Sequence, residues 1–174
     1  MSVAFNTDGT KMYVMGYDND TVFQYSLSTA FDVSTASYDS VSLDISSQEI
    51  NPRTFTFSPD GTKMYIGGNT NDSVFEYTLS TAFDVSTASY ASKSFSVASQ
   101  DIVPHDLTFN NDGTEMYIMG QNNDTVFQYT LSTGFDVSTA SYDSVSFSVA
   151  SQDTSSEEVA FNNDGTKMYI VGRI

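Results

Sequence analysis

A chain of 174 residues with 39% apolar and 14% aromatic side chains is long enough to bury a core and too apolar for disorder. Its 22 acidic against 6 basic residues leave a net charge of −16, which repels phosphate backbones and anionic lipid heads and makes nucleic acid and membrane surfaces poor partners. No apolar run reaches the roughly 18 residues of a membrane-spanning helix, the opening MSVAFNTDGT has neither the basic nor the apolar region of a secretory signal, and the lack of cysteine removes disulfides, thiolate catalysis and Cys-based zinc or iron–sulfur sites.

The chain repeats itself. Phe5, Phe57, Phe109 and Phe161 recur at one spacing, as do Gly9, Gly61, Gly113 and Gly165, in FNTDGTKMYV, FSPDGTKMYI, FNNDGTEMYI and FNNDGTKMYI. The segment STAFDVSTASY returns twice, the last time as STGFDVSTASY. This divides the single repeat domain 1–174 into units 1–52, 53–104 and 105–156 and a partial fourth, 157–174. In chain order each unit opens on a short first strand: Val3–Phe5, Thr54–Phe57 or Asp106–Phe109. An Asp-Gly pair, a strong hairpin signal, turns it into a second strand, such as Lys63–Ile66, ending at Gly67 and Gly68. Asn71-Asp72 reverses the chain into a third strand, Ser73–Leu79, with Phe75, Tyr77 and Leu79 on one face. A longer connection leads to a fourth strand, Tyr90–Val97. No window shows capped helical periodicity, so four short antiparallel strands per unit are expected.

Tandem four-stranded units of this length predict an all-β fold, a β-propeller of about three and a half blades, because one small sheet cannot bury two apolar faces alone. A solenoid is the alternative. The hairpin motif followed by N-D-[ST]-V-F-x-Y resembles YVTN-type and TolB-like bacterial propeller repeats across all the units, though it lacks the Trp-Asp pair of WD repeats. The resemblance implies a fold and no particular activity, since such propellers serve unrelated functions. Propellers close with about four to eight blades, so an open arc would expose apolar faces and a strand edge. Completion by homo-oligomerisation, with a dimer favoured, is expected, although two chains leave two unmatched hairpins.

At one end of the sheets the units barely change, and at the other they diverge. The second-to-third turns read Tyr17–Asp20, Asn69–Asp72 and Gln121–Asp124, and the connections between units read EINPRT, DIVPHD and DTSSEE. Arg53, His105 and Glu157 share one equivalent position, where the first strand starts beside the axis, and are the candidate ligand-binding residues for a protein or glycan. Solvated loop drift would produce the same variation. The recurring Asp20, Asp72 and Asp124 suit tight turns and miss the calcium-loop spacing, so no metal site or cofactor is expected. Met12, Met64, Met116 and Met168 read as core filling. A single histidine, no nucleophile elbow, and a Glu157-Glu158 pair expected on opposite faces of a strand argue against catalysis. The expected function is a non-enzymatic repeat module for binding or scaffolding, part of an extracellular, cell-surface or virion-surface protein. A lactonase- or lyase-like propeller enzyme using a channel-bound cation is the alternative.

Overall fold

The structure, a computed structural model, describes residues 2–16 and 18–173. Each Asp-Gly pair makes the first reversal. Gly9, Gly61, Gly113 and Gly165 lie at φ 71, 69, 71 and 70°, the left-handed region that glycine enters without a Cβ clash. Ahead of them Asp8 holds the turn by accepting from the Thr10 amide (2.9 Å) and hydroxyl, and Asp60, Asp112 and Asp164 do the same.

The strands between these turns are β1 (Ser2–Phe5), β2 (Lys11–Gly16), β3 (Thr21–Leu27) and β4 (Ala36–Asp44) in the first sheet. The second holds β5 (Pro52–Phe57), β6 (Lys63–Gly68), β7 (Ser73–Leu79) and β8 (Ala88–Ser96). The third holds β9 (Pro104–Phe109), β10 (Glu115–Gly120), β11 (Thr125–Leu131) and β12 (Ala140–Ser148); β13 (Ser156–Phe161) and β14 (Met168–Gly172) pair alone. Every sheet is an antiparallel meander in sequence order, and β1, β5, β9 and β13 contact one another in succession. The first strands thus line a common axis, as in propeller blades. The fourth strand of the second unit runs Ala88–Ser96 rather than Tyr90–Val97, because a short 3-10 turn delivers the chain to it earlier. These turns (Val33–Thr35, Val85–Thr87, Val137–Thr139) were not anticipated. Asp32, Asp84 and Asp136 cap them by accepting from the Ser34, Ser86 and Ser138 amides, and three residues are too few to show periodicity.

The core lies between sheets. Tyr13, Met15, Val22 and Ile45 of the first meet Phe55, Met64, Ile66 and Phe75 of the second. Tyr65, Val74 and Val97 of the second meet Leu107, Met116, Ile118 and Phe127 of the third. In β7 the expected face of Phe75, Tyr77 and Leu79 is buried, and so are Val74 and Glu76 on the other face, because this sheet has a neighbour on both sides. Met64 and Met116 are fully buried core residues, whereas Met12 and Met168 are half-buried.

Candidate cleft at the axial end of the first strands

The first strands do not start regularly. Between Pro52 and Thr54, and between Ser156 and Glu158, the register against the second strand slips by a bulge, and β9 slips opposite Met119 and Gly120. A bulge breaks the alternation of side chains and re-aims them. Glu157 and Glu158, expected on opposite faces, therefore both line one cleft. That cleft has a volume of about 520 Å³, and Arg53, His105, Asp106 and Arg173 share it with them. The three residues singled out by unit-to-unit variation, Arg53, His105 and Glu157, converge here, each from the second residue of its strand.

One of their contacts crosses between blades. His105 Nδ1 lies 3.3 Å from the Glu157 carbonyl oxygen. Burial, then the Arg53 charge, hold the imidazole pKa below its ordinary value against the pull of Glu157. A neutral ring facing an oxygen that can only accept carries its proton on Nδ1, which leaves Nε2 as an acceptor. The Arg53 guanidinium donates to the Asn69 side-chain amide (3.3 Å). Glu157 pairs with the exposed Arg173 from β14's end.

Asp106 was missed by the sequence reading. Its carboxylate accepts from the Thr54 hydroxyl of β5 (2.7 Å) and the Val159 amide of β13 (3.0 Å), tying three consecutive first strands together. Burial pushes its pKa up to about 6 in spite of these hydrogen bonds. The one signal available was the variation at its own position, Thr54, Asp106 and Glu158, one residue beyond the position chosen.

A second missed set lies in the connections between units that lead into the first strands. Glu49, fully buried, accepts from the Asn51, Thr70 and Asn71 amides at 2.8, 3.1 and 3.3 Å. Asp101 accepts from Val103 (2.7 Å) and Asn123 (3.0 Å), and Asp153 from Ser155 (2.7 Å). Where the contact is complete, one carboxylate fastens the connection between units to the second-to-third turn. Glycine at 68, 120 and 172 lets it lie close, since a Cβ would fall 2.5, 2.4 and 2.3 Å from the carboxyl group and displace it.

Asp20, Asp72 and Asp124 adopt φ 45, 46 and 44°, a turn conformation that Asp tolerates. Tyr17 of the first such turn lies outside the described residues. Among the described residues no group of three or more His, Cys, Asp or Glu is placed to hold a metal ion. The cleft therefore offers two guanidinium groups, a neutral imidazole and three carboxyl groups, one of them titrating near neutrality: donors and acceptors for a polar ligand, and groups able to move a proton.

No protein-family model and no curated protein matches the chain. Solved structures do. A candidate 6-phosphogluconolactonase from Bacteroides uniformis superposes with a TM-score of 0.67 at 16% identity, over 99% of this chain and 49% of that one. A Lactobacillus plantarum protein gives 0.66 at 15%, over 98% and 50%. KlAtg21, solved with the coiled-coil of AgAtg16, gives 0.60 at 15%, over 99% and 49%. These are propellers, and the likeness establishes the fold: the chain is an all-β partial propeller, spanning about half the length of these structures.

Proposed function

We propose that the chain is a propeller binding module whose axial cleft takes a small polyhydroxylated ligand of the glycan class, within a surface-exposed or extracellular protein. The observation that carries this reading is convergence. The blades share their Asp-Gly turns and their long connection to the fourth strand, yet the position holding arginine, histidine and glutamate in successive units opens into a single cleft. A position that changes charge from unit to unit where the copies meet suits recognition by unit-specific side chains. KlAtg21, a structural neighbour solved with a bound coiled-coil, is compatible with a binding role for the fold. Assembly with further blades completes the ring in this reading.

Screening the protein against a glycan library, then titrating the best ligand calorimetrically, tests it. Arg53→Ala, His105→Ala and Glu157→Ala are each expected to weaken binding about tenfold, the loss of one or two hydrogen bonds to charged groups. Affinity indifferent to all three sinks the cleft as the site.

A lactonase-like activity is the second reading, favoured by the likeness to the Bacteroides uniformis protein and by the proton-transfer groups His105 and Asp106. It predicts ring opening of a sugar lactone above the spontaneous rate, lost in Asp106→Asn. A rate equal to buffer leaves the binding reading in place.

A further inference from the structure

The two complete interfaces of the chain use one repeated joint. In each, a sheet receives the third strand and the 3-10 turn of the next sheet. Tyr13 and Tyr65 donate their hydroxyls to the Phe83 and Phe135 carbonyls, and Gln24 and Glu76 accept from the Val85 and Val137 amides at 3.0 and 3.1 Å. Val85 and Val137 are 1% and 0% exposed in these joints.

The third sheet presents a similar receiving face, with Tyr117 and Gln128 in the equivalent positions, and with Glu115 where Lys11 and Lys63 also donate to the turn carbonyl in the existing joints. There β13 and β14 cover its axial half alone. Val145 and Phe147 stay 50% and 59% exposed, and they line, with Val126, Phe161 and Met168, a groove of about 500 Å³. Tyr117 turns its hydroxyl to Glu115 of its own strand; the Gln128 amide nitrogen donates to Asp143 of the adjacent β12, as that of Gln24 does to Asp39, which leaves the amide oxygen as the acceptor. The hairpin repeats a further receiving feature. At Gly9, Gly61 and Gly113 a Cβ would fall 2.4, 2.2 and 2.4 Å from the ring of Phe31, Phe83 or Phe135 of the same unit, whereas Gly165, at φ 70°, has nothing within 4 Å of that position. Strand β14 is paired on one side, to β13.

We propose that the β14 edge and the outer half of the third sheet's face form a docking groove for the third-strand–turn–fourth-strand segment of another repeat unit, of the type V-F-x-Y-T-L-S-T-x-F-D-V-S-T. Continuity with the two existing joints identifies the occupant, since the equivalent tyrosine, an acceptor side chain at the equivalent position (glutamine in one joint, glutamate in the other), the same glycine and the same kind of apolar face already hold two such segments. The segment runs antiparallel to β14 in the register of β10 with β11, where Met116 faces Tyr129 and Ile118 faces Phe127. Its tyrosine stands opposite Met168 and its phenylalanine opposite Ile170, its turn phenylalanine covers Gly165, and its turn amide reaches Gln128. The first sheet of a second copy does not supply such a segment, because β3 is already paired on both sides, to β2 and β4. Strand addition of this kind draws affinity from main-chain hydrogen bonds and specificity from alternate side chains.

The test uses a fluorescent synthetic peptide with the sequence of residues 123–149, titrated into the 174-residue chain and read by anisotropy. Saturable one-to-one binding is expected, weakened about fivefold by Tyr117→Phe and by Gln128→Ala, each removing one hydrogen bond. It should be abolished when the peptide's strand phenylalanine and tyrosine are both serine. Urea midpoints of the two variants near that of the parent keep a folding defect from imitating this loss. No binding, or binding indifferent to these changes, overturns the proposal. So does a two-chain species in light scattering that excludes the peptide, which assigns the face to a second copy.

Discussion

Asp106 shows how one side chain couples the site to the fold. Its carboxyl accepts from β5 and β13 at once, yet its pKa is raised by burial to about 6 from an ordinary 3.8. A carboxyl whose folded pKa is raised holds its proton more tightly in the folded state. Between pH 3.8 and about 6 the folded chain therefore binds more protons than the unfolded one, and this group's contribution to stability falls as pH rises through that window. The turn carboxylates Asp8, Asp60, Asp112 and Asp164, with pKa values lowered by hydrogen bonds from Thr10, Ser58, Thr114 and Thr166, act in the opposite sense. The readout is accordingly a difference. Urea midpoints of the parent and of Asp106→Asn are expected to diverge between about pH 4 and pH 7, in favour of the variant at the upper end, by on the order of 2 kcal/mol. Parallel pH profiles refute the shifted carboxyl. At this scale the sequence revealed Arg53, His105 and Glu157 because three copies of one position could be compared. Asp106 and the buried Glu49 escaped because their roles depend on bulges and on contacts between units, and periodicity carries no trace of either.

At the scale of elements, the third strand carries the joint between blades. Position 24 is glutamine in the first unit and position 76 glutamate in the second, and both accept the first amide of the next 3-10 turn. Glu76 is 1% exposed and also pairs with Lys63 Nζ at 2.9 Å, while Lys93 reaches across to Asp136 at 2.6 Å. Glu76→Gln keeps the acceptor and copies what Gln24 already does, so a change within about 1 kcal/mol is expected in chemical denaturation. Glu76→Ala leaves the Val137 amide and the Lys63 ammonium without that partner in a buried joint, and a loss of about 3 kcal/mol is expected. Equal losses in the two variants contradict the joint as described. The strands were legible from Asp-Gly turns and from period-2 placement of apolar residues such as Phe75, Tyr77 and Leu79. In β7 alternation failed to mark a solvent face, since both faces are buried, and the 3-10 turns were too short to leave a pattern.

For the molecule as a whole, charge and architecture pull against each other. The repeat made the partial propeller legible, because sheets with two apolar faces at fixed spacing have to stack. The same sequence loads that stack with a net charge of −16, and like charges spread over a compact body repel. Ionic strength should relieve this. The screening length falls from about 30 Å at 0.01 M salt to about 3 Å at 1 M, so the melting temperature is expected to rise with sodium chloride. A gain of about 1 kcal/mol corresponds to roughly 2–4 °C for a chain of this size. The comparison that matters is with calcium at matched ionic strength. Asp20, Asp72 and Asp124 serve as turn residues at positive φ, and no described group of acidic side chains is arranged as a cation cage. Micromolar calcium should accordingly shift the melting temperature no further than sodium does, and a chelator should not lower it. A calcium-specific rise at micromolar concentration would place a metal at the second-to-third turns. It would also make those turns, rather than the cleft formed by Arg53, His105 and Glu157, the first place to look for a ligand.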